Sequence, residues 1–341
     1  MIVNAKIVDI GANPKKYHAY NAGIERGSPE FLMASGHLRV FGACPSRWKS
    51  GYEFPGSKAT EWGSALDCWL LTPDQFTQNY SVKPETYPAP EKHAKVVKGE
   101  IQPGDPLPWN SNATICSDWE ESQADKEIIS TKLFGEIKQA ATRIMEDDIL
   151  RSFIESSDKQ VWIKAEWHSK ESGISIPIQV LIDLVPRSDT EWRKCAGDFK
   201  TTKNAESMAW QRWCYQAGYH IQSALYLDVL AAATKEDRCE SVFVLSENYA
   251  PWQPARRMLS QDFLTLGREE YTRLLDNYCR CVASGKWPGY DDHDEAVQGW
   301  TLVAPEPWMS DKAAFAPNFD FGTDEAASEV ETITPDDDII P

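Results

Sequence analysis

Two places in the chain set an acid and a lysine two residues apart, Glu136-Ile-Lys138 and Asp198-Phe-Lys200. Such a pair can help hold a divalent cation, orient or deprotonate a water, and neutralise charge on phosphorus, which is the equipment of phosphodiester hydrolysis. The surrounding residues separate the two triplets. The first lies among Ile128, Ile129, Leu133, Ile137, Ala141, Ile144 and Ile149, a helical recurrence in which residues two apart point to different faces. The second lies in KCAGDFKTT, a short strand that projects residues two apart from one face. An exposed Asp–Lys pair on a strand surface is the plain alternative. Asp183, inside the apolar run VLIDLVP, weighs against it, because an ionised carboxylate there is costly unless it is paired or ligates a cation.

If residues 176–186 and 194–202 are hairpin neighbours across PRSDTEWR, Asp183 and Asp198 converge on one metal with Lys200 beside them. Hard oxygen donors of this kind suit Mg²⁺, with Mn²⁺ able to substitute.

The pattern around these residues predicts an α/β chain in which helices come first, a mixed sheet lies in the middle, and helix, strand and helix follow. MIVNAKIVDI reads as a short strand and FLMASGHLRVFGAC as a helix closed by Pro45. SKATEWGSALDCWLLTP reads as a second helix, capped by Ser57 and ended by Pro73. Residues 81–120 are proline-rich without a clear period and predict a long irregular connection. An interrupted helix is expected over 123–156, then the strands VWIKAEWH, IPIQVLIDLVP and KCAGDFKTT. One long helix is expected over AESMAWQRWCYQAGYHIQSALYLDVLAAAT, then the strand SVFVLSEN, a short strand near RRMLS and a helix over 261–284.

The order Asp183 in IDLVP, Asp198-Phe-Lys200 and then Gln222-x-x-x-Tyr226 resembles the RecB-like nucleases of the PD-(D/E)xK superfamily. The likeness is closer still to the exonuclease VIII (RecE-type) nucleases. It runs in stretches from YHAYNAG and SGHLRVFGACPSRW through GSALDCWLLTPDQF and GYHIQSALYLDVL to GREEYTRLLDNYCRCVASGKWPGY and EPWM. That resemblance implies a PD-(D/E)xK core with a central mixed β-sheet flanked by helices and a helical N-terminal elaboration, over one domain spanning 1–310 with its metal core at about 160–250. It implies catalytic roles for Asp183, Asp198, Lys200, Gln222 and Tyr226. The implied activity is Mg²⁺-dependent 5′-to-3′ exonuclease action on linear double-stranded DNA ends, by a ring-shaped homo-oligomer, beside a single-strand-annealing recombinase of RecT type. The family pattern GxxxH becomes Gly63-Ser-Ala-Leu-Asp67 here, so the third metal ligand is Asp67, a carboxylate where the family has a histidine.

Further candidates stand elsewhere. Glu166, on the strand before Asp183, offers a further ligand, and Arg47, Lys49 and Lys58 around Trp48 offer a grip on phosphate. Tyr219 and His220 read as packing residues. The net charge of −17 runs against DNA coating. Eight acids and no base fall in residues 320–341, however, leaving about −9 for the body, which a local basic groove can override. Residues 311–341 read as an acidic, disordered tail. Eight cysteines without a CxxC pair read as reduced thiols. No apolar run approaches the ~20 residues of a membrane span and the N-terminus lacks a secretory pattern, so a cytoplasmic protein without membrane partners is expected. Two other readings stay open: a silent DNA-end-binding scaffold, and an endonuclease or defence nuclease on the same core.

Overall fold

The N-terminal strand β1 (Ile2–Val8) is drawn far along the chain, pairing antiparallel with β6 (Ser157–His168) at the edge of a six-stranded sheet. A computed structural model describes residues 1–9, 14–53, 58–292, 296–297 and 300–301. Met1–Asp292 form one compact unit. His293–Pro341 form another, in which Ala296–Val297 pair with Trp300–Thr301. The expected Ser57 cap, EPWM and the acidic tail lie outside the described residues.

After β1 come α1 (Lys15–Ala19), α2 (Ser35–Ala43), α3 (Pro45–Lys49), α4 (Lys58–Leu71) and α5 (Pro73–Asn79). Pro45 and Pro73 each open a helix as well as closing the one before, since the first turn requires no N–H from its first residue. The predicted irregular connection contains β2 (Tyr80–Lys83), β3 (Thr86–Pro88), α6 (Ala94–Val97), β4 (Pro106–Pro108) and α7 (Thr114–Ser122). Tyr87, Ala89, Leu107 and Cys116 give this stretch a small core of its own.

The interrupted helix expected over 123–156 resolves into β5 (Glu127–Ser130), α8 (Thr131–Glu146) and α9 (Asp148–Glu155). The break falls at Asp147, whose carboxylate accepts the N–H groups of Ile149 and Leu150, both at 3.0 Å, and so starts a new helix.

The chain then forms β6, β7 (Ser175–Pro186), β8 (Cys195–Thr202), α10 (Ser207–Gln216), α11 (Tyr219–Thr234), β9 (Glu240–Glu247), β10 (Pro254–Met258) and α12 (Gln261–Ser284). The single long helix predicted before β9 is broken into α10 and α11 at Gly218, whose φ of 71° is left-handed and suits a residue without Cβ.

The sheet order is β1-β6-β7-β8-β9-β10, with β8 and β9 parallel and the other neighbours antiparallel. This is the mixed α/β layout expected from the sequence. One core packs α2, α11 and α12 with β6 and β7 through residues such as Phe41, Ile178, Leu230 and Tyr278. The second brings α4, α8 and α9 together through Leu66, Ile144, Phe153 and Phe199. All eight cysteines are free thiols, seven of them buried. Among the described residues no helix is long and apolar enough to cross a membrane.

One detail of strand pairing positions everything that follows. β8 is held by β9 along all eight of its residues, but meets β7 at only one pair, Leu184 with Gly197. Beyond it the two strands part, and the next residues on either side of this fork are Asp183 and Asp198.

Candidate active site

The Asp183 carboxylate sits in the mouth of the fork, where its Oδ2 accepts the backbone N–H of Phe199 at 2.8 Å and so replaces a missing rung of the ladder. Asp198 is almost fully buried at 6% exposure. Its Oδ1 accepts an N–H of Gln222 from α11 at 2.7 Å, and its Oδ2 forms an ion pair with Lys200. The four-residue spacing on α11 brings Tyr226 to the same face, one turn from Gln222. The Tyr226 hydroxyl meets Ser35 Oγ, at the first turn of α2, at 3.5 Å. Lys200 lies 5.2 Å from the ring centre of Tyr219, which also stacks on Trp210, so Tyr219 serves both packing and the site.

Asp67 arrives from the opposite layer. Helix α4 approaches β8 closely because residue 63 is glycine: a Cβ there would stand 2.8 Å from Thr201 Oγ1. One turn on, Asp67 Oδ2 accepts the side-chain amide of Gln160 on β6 at 3.2 Å, and the same nitrogen reaches Asp183 Oδ1 at 3.5 Å. Gln160 was invisible to sequence reasoning, since it falls in the gap between the helix expected over 123–156 and the strand VWIKAEWH, and carries no motif there. The register that sets it across from Asp183 was the only available signal.

The charges sense one another. Burial, then the Asp198 and Asp67 carboxylates, push Asp183 well above the ordinary aspartate range, against the pull of Lys200 and the Phe199 N–H. Asp67 is pushed up to about 7, mainly by burial, with Lys200 opposing and Asp198 adding to the rise. Burial works against the charge on Lys200, but Asp198, Asp183 and Tyr219 more than offset it and hold the ammonium. Three carboxylates crowded around one ammonium are short of positive charge, and their hard oxygens are the donors a divalent ion such as Mg²⁺ takes. The donor chemistry therefore fits such an ion at Asp67, Asp183 and Asp198. As their side chains stand, with Gln160 between two of them and Lys200 on the third, no three described His, Cys, Asp or Glu residues enclose a ready-made ion site.

The remaining candidates lie apart. Glu166 pairs across from Pro177 and Val3, six residues along β6 from Gln160, or about 20 Å at the rise of a strand. It does not join the carboxylates. Arg47 stacks on Tyr52, 3.5 Å from its ring centre, and donates to the Tyr290 hydroxyl at 3.1 Å. Lys49 pairs with Glu25 at 2.7 Å and also donates to the Arg26 carbonyl. Both side chains are thus engaged in holding α3 to its surroundings. Lys58 begins α4, and its side chain lies outside the described residues. His220 is buried and packs against Tyr215 and Phe263.

Comparison with known proteins agrees with this fold. Residues 41–298 match the family described as a PDDEXK-like domain of unknown function (DUF3799). A crystal structure from Eubacterium rectale named "Putative exonuclease" shares the fold with a TM-score of 0.53 at 14% identity, over 88% of this chain and 98% of that one. A second structure, SSO0001, is 14% identical over 47% of this chain and 68% of its own with a TM-score of 0.25, too distant to bear on the argument. No curated protein matches the chain.

Proposed function

The chain belongs to the PDDEXK-like family DUF3799, and on that premise we propose that it is a divalent-metal-dependent exodeoxyribonuclease acting on the ends of linear double-stranded DNA. The observation that carries the reading is the fork. Asp183 and Asp198 face each other across parting strands, with Lys200 paired to Asp198 and Asp67 tied to Asp183 through one amide.

Asp67, Asp183 and Asp198 would hold the cation, which supplies Lewis-acid polarisation of a phosphate and acidifies a nearby water. The protein's own groups do the rest. Lys200 brings an ammonium to the place where negative charge gathers on a phosphate under attack. Gln222 fixes one oxygen of Asp198, which leaves that carboxylate a single orientation. The Phe199 N–H does the same for Asp183. Tyr226 closes the side of the site nearest α2. The resemblance to RecE-type nucleases adds 5′-to-3′ polarity, a homo-oligomeric ring and a RecT-type annealing partner to this proposal, and the named relative from Eubacterium rectale supports the exonuclease sense of it.

Linear and covalently closed duplexes incubated with Mg²⁺ test the proposal. Linear DNA is expected to shorten from its ends, closed circles to survive, and both EDTA and Asp183→Asn to stop the reaction. Cutting of closed circles would replace the exonuclease by an endonuclease, and binding of ends without digestion would leave a scaffold.

A further inference from the structure

We propose that Gln160 is a positioning residue of this site, its side-chain amide setting Asp67 and Asp183 for a shared divalent cation. The inference rests on the metal-dependent reading above and goes beyond it, because nothing in the D…DxK…QxxxY pattern includes this residue.

Asp67 and Asp183 belong to different layers, one on α4 and the other on β7, so no continuous backbone fixes the gap between their carboxylates. Gln160 touches both, its Nε2 lying 3.2 Å from Asp67 Oδ2 and 3.5 Å from Asp183 Oδ1. A primary amide has two N–H groups on one nitrogen, which allows it to serve two acceptors at once. At 4% exposure Gln160 has little water to turn to instead.

The backbone is bent to make this contact. β6 and β7 pair in one register from Ser157–Pro186 to His168–Ser175, with Lys159 opposite Leu184 and Val161 opposite Ile182. Between those two pairs the rung from Gln160 to Asp183 is missing, and Gln160 has a φ of 53°. A left-handed residue with a long side chain inside a strand is uncommon, and such conformations persist where surrounding structure imposes them. Here the distortion occurs at the strand position facing Asp183, and its result is an amide aimed at the carboxylates.

A purely structural role and a positioning role predict different outcomes for Gln160→Asn. Asparagine accepts the left-handed conformation more readily than glutamine, so the strand keeps its bend. Its amide is one methylene shorter and withdraws from the two carboxylates. The measurement is Mn²⁺ binding to the full-length protein by calorimetry, with thermal unfolding in EDTA as the fold control. Outer-shell partners of metal ligands are worth about 10- to 100-fold in affinity. Gln160→Asn is therefore expected to bind Mn²⁺ about 10-fold more weakly than wild type while melting at or near the wild-type temperature. Gln160→Met, similar in size and without a donor, is expected to show the same loss. In an Asp67→Ala background, where half of the bridge has gone, the change to Asn should cost less than about 3-fold. Wild-type-like affinity in the folded Asn and Met variants overturns the role given to Gln160. A wild-type chain that binds no Mn²⁺ overturns the metal site beneath it, a distinct result.

Discussion

Gly135-Glu136-Ile137-Lys138 and Gly197-Asp198-Phe199-Lys200 follow the same pattern of glycine, acid, apolar residue and lysine, yet one stands on a helix and the other on a strand. On α8 the acid and the lysine turn to separate neighbours: Glu136 to Lys132 at 3.9 Å, one turn back, and Lys138 to the ring of Phe134, 4.7 Å from its centre. On β8 the acid and lysine of the same triplet meet each other, with side chains exposed by only 9% and 21%. Chemistry needs more than the pair. β8 adds Asp183 across the fork, Gln222 from α11 and the approach of α4 at Gly63. The scaffold therefore decides whether an acid–x–lysine triplet is a surface ornament or part of a site.

The sharpest break between the two triplets is expected at their lysines. Lys200→Ala removes the ammonium paired with Asp198 among the three carboxylates and should lower DNA cleavage by about 10³-fold or more, the scale of losing a charge-stabilising or proton-transferring group. Lys138→Ala, on an exposed helical surface, should leave the rate within about 2-fold. Initial rates on end-labelled linear duplex, with Mg²⁺ in excess, compare them. Equal losses from both variants would mean that strand placement does not distinguish the triplets.

The strand triplet was legible because period-2 spacing and a buried aspartate are properties of short sequence windows, and so was the hairpin of β7 and β8; Gln222 and Tyr226 entered through the family resemblance, their four-residue spacing placing them on one face of α11. Gln160 was not. Its role depends on register and on a left-handed φ, and neither leaves a mark in residue type. The two helix breaks were only half legible. The one near residue 147 is expected in kind but not in place, and the one at Gly218 leaves no mark in the pattern because the apolar spacing of α10 continues into α11 across a single left-handed glycine. In the connection after α5, proline obscured short strands that pair with segments some 20 to 50 residues away. The basic residues at 47 and 49 stand around Trp48 in the sequence, and the fold also engages them with Tyr52, Tyr290 and Glu25, contacts between distant segments that their position in the sequence does not show.

Next in size is the response of the metal-free protein to pH. The folded chain holds a proton on Asp67 up to about 7, through burial in the first place, whereas the unfolded chain releases it near 4. Between those values the folded state binds more protons, so stability falls as pH rises, and the penalty is fully present above about 7. In EDTA, Asp67→Asn should therefore melt higher than wild type at pH 8, and the gain should vanish at about pH 4, where both carry a neutral side chain. Thermal melts at the two pH values check the sign. A gain that is the same at both would show that packing and not charge is responsible, and would remove the electrostatic part of the contrast between the crowded site and the open helix.

The glycines test the same comparison at its smallest scale, because each immediately precedes its triplet. A Cβ at Gly197 would come within 2.5 Å of Phe153 and 3.0 Å of the Leu184 Cβ, in the layer where α9 packs on the sheet beneath the fork. Gly197→Ala must push a core ring aside, and overpacking of this kind costs about 1–3 kcal/mol. A Cβ at Gly135 would meet nothing within 4 Å. There alanine only restricts the unfolded chain and favours the helix, so Gly135→Ala should stabilise by roughly 0.5–1 kcal/mol. Chemical denaturation of both variants gives the two values. Opposite signs follow if β8 is clamped between layers while α8 turns this position outward. A destabilised Gly135→Ala would mean that the helix triplet faces packed structure after all, and the distinction between the two sites would then have to rest on Asp183 and Gln222 alone.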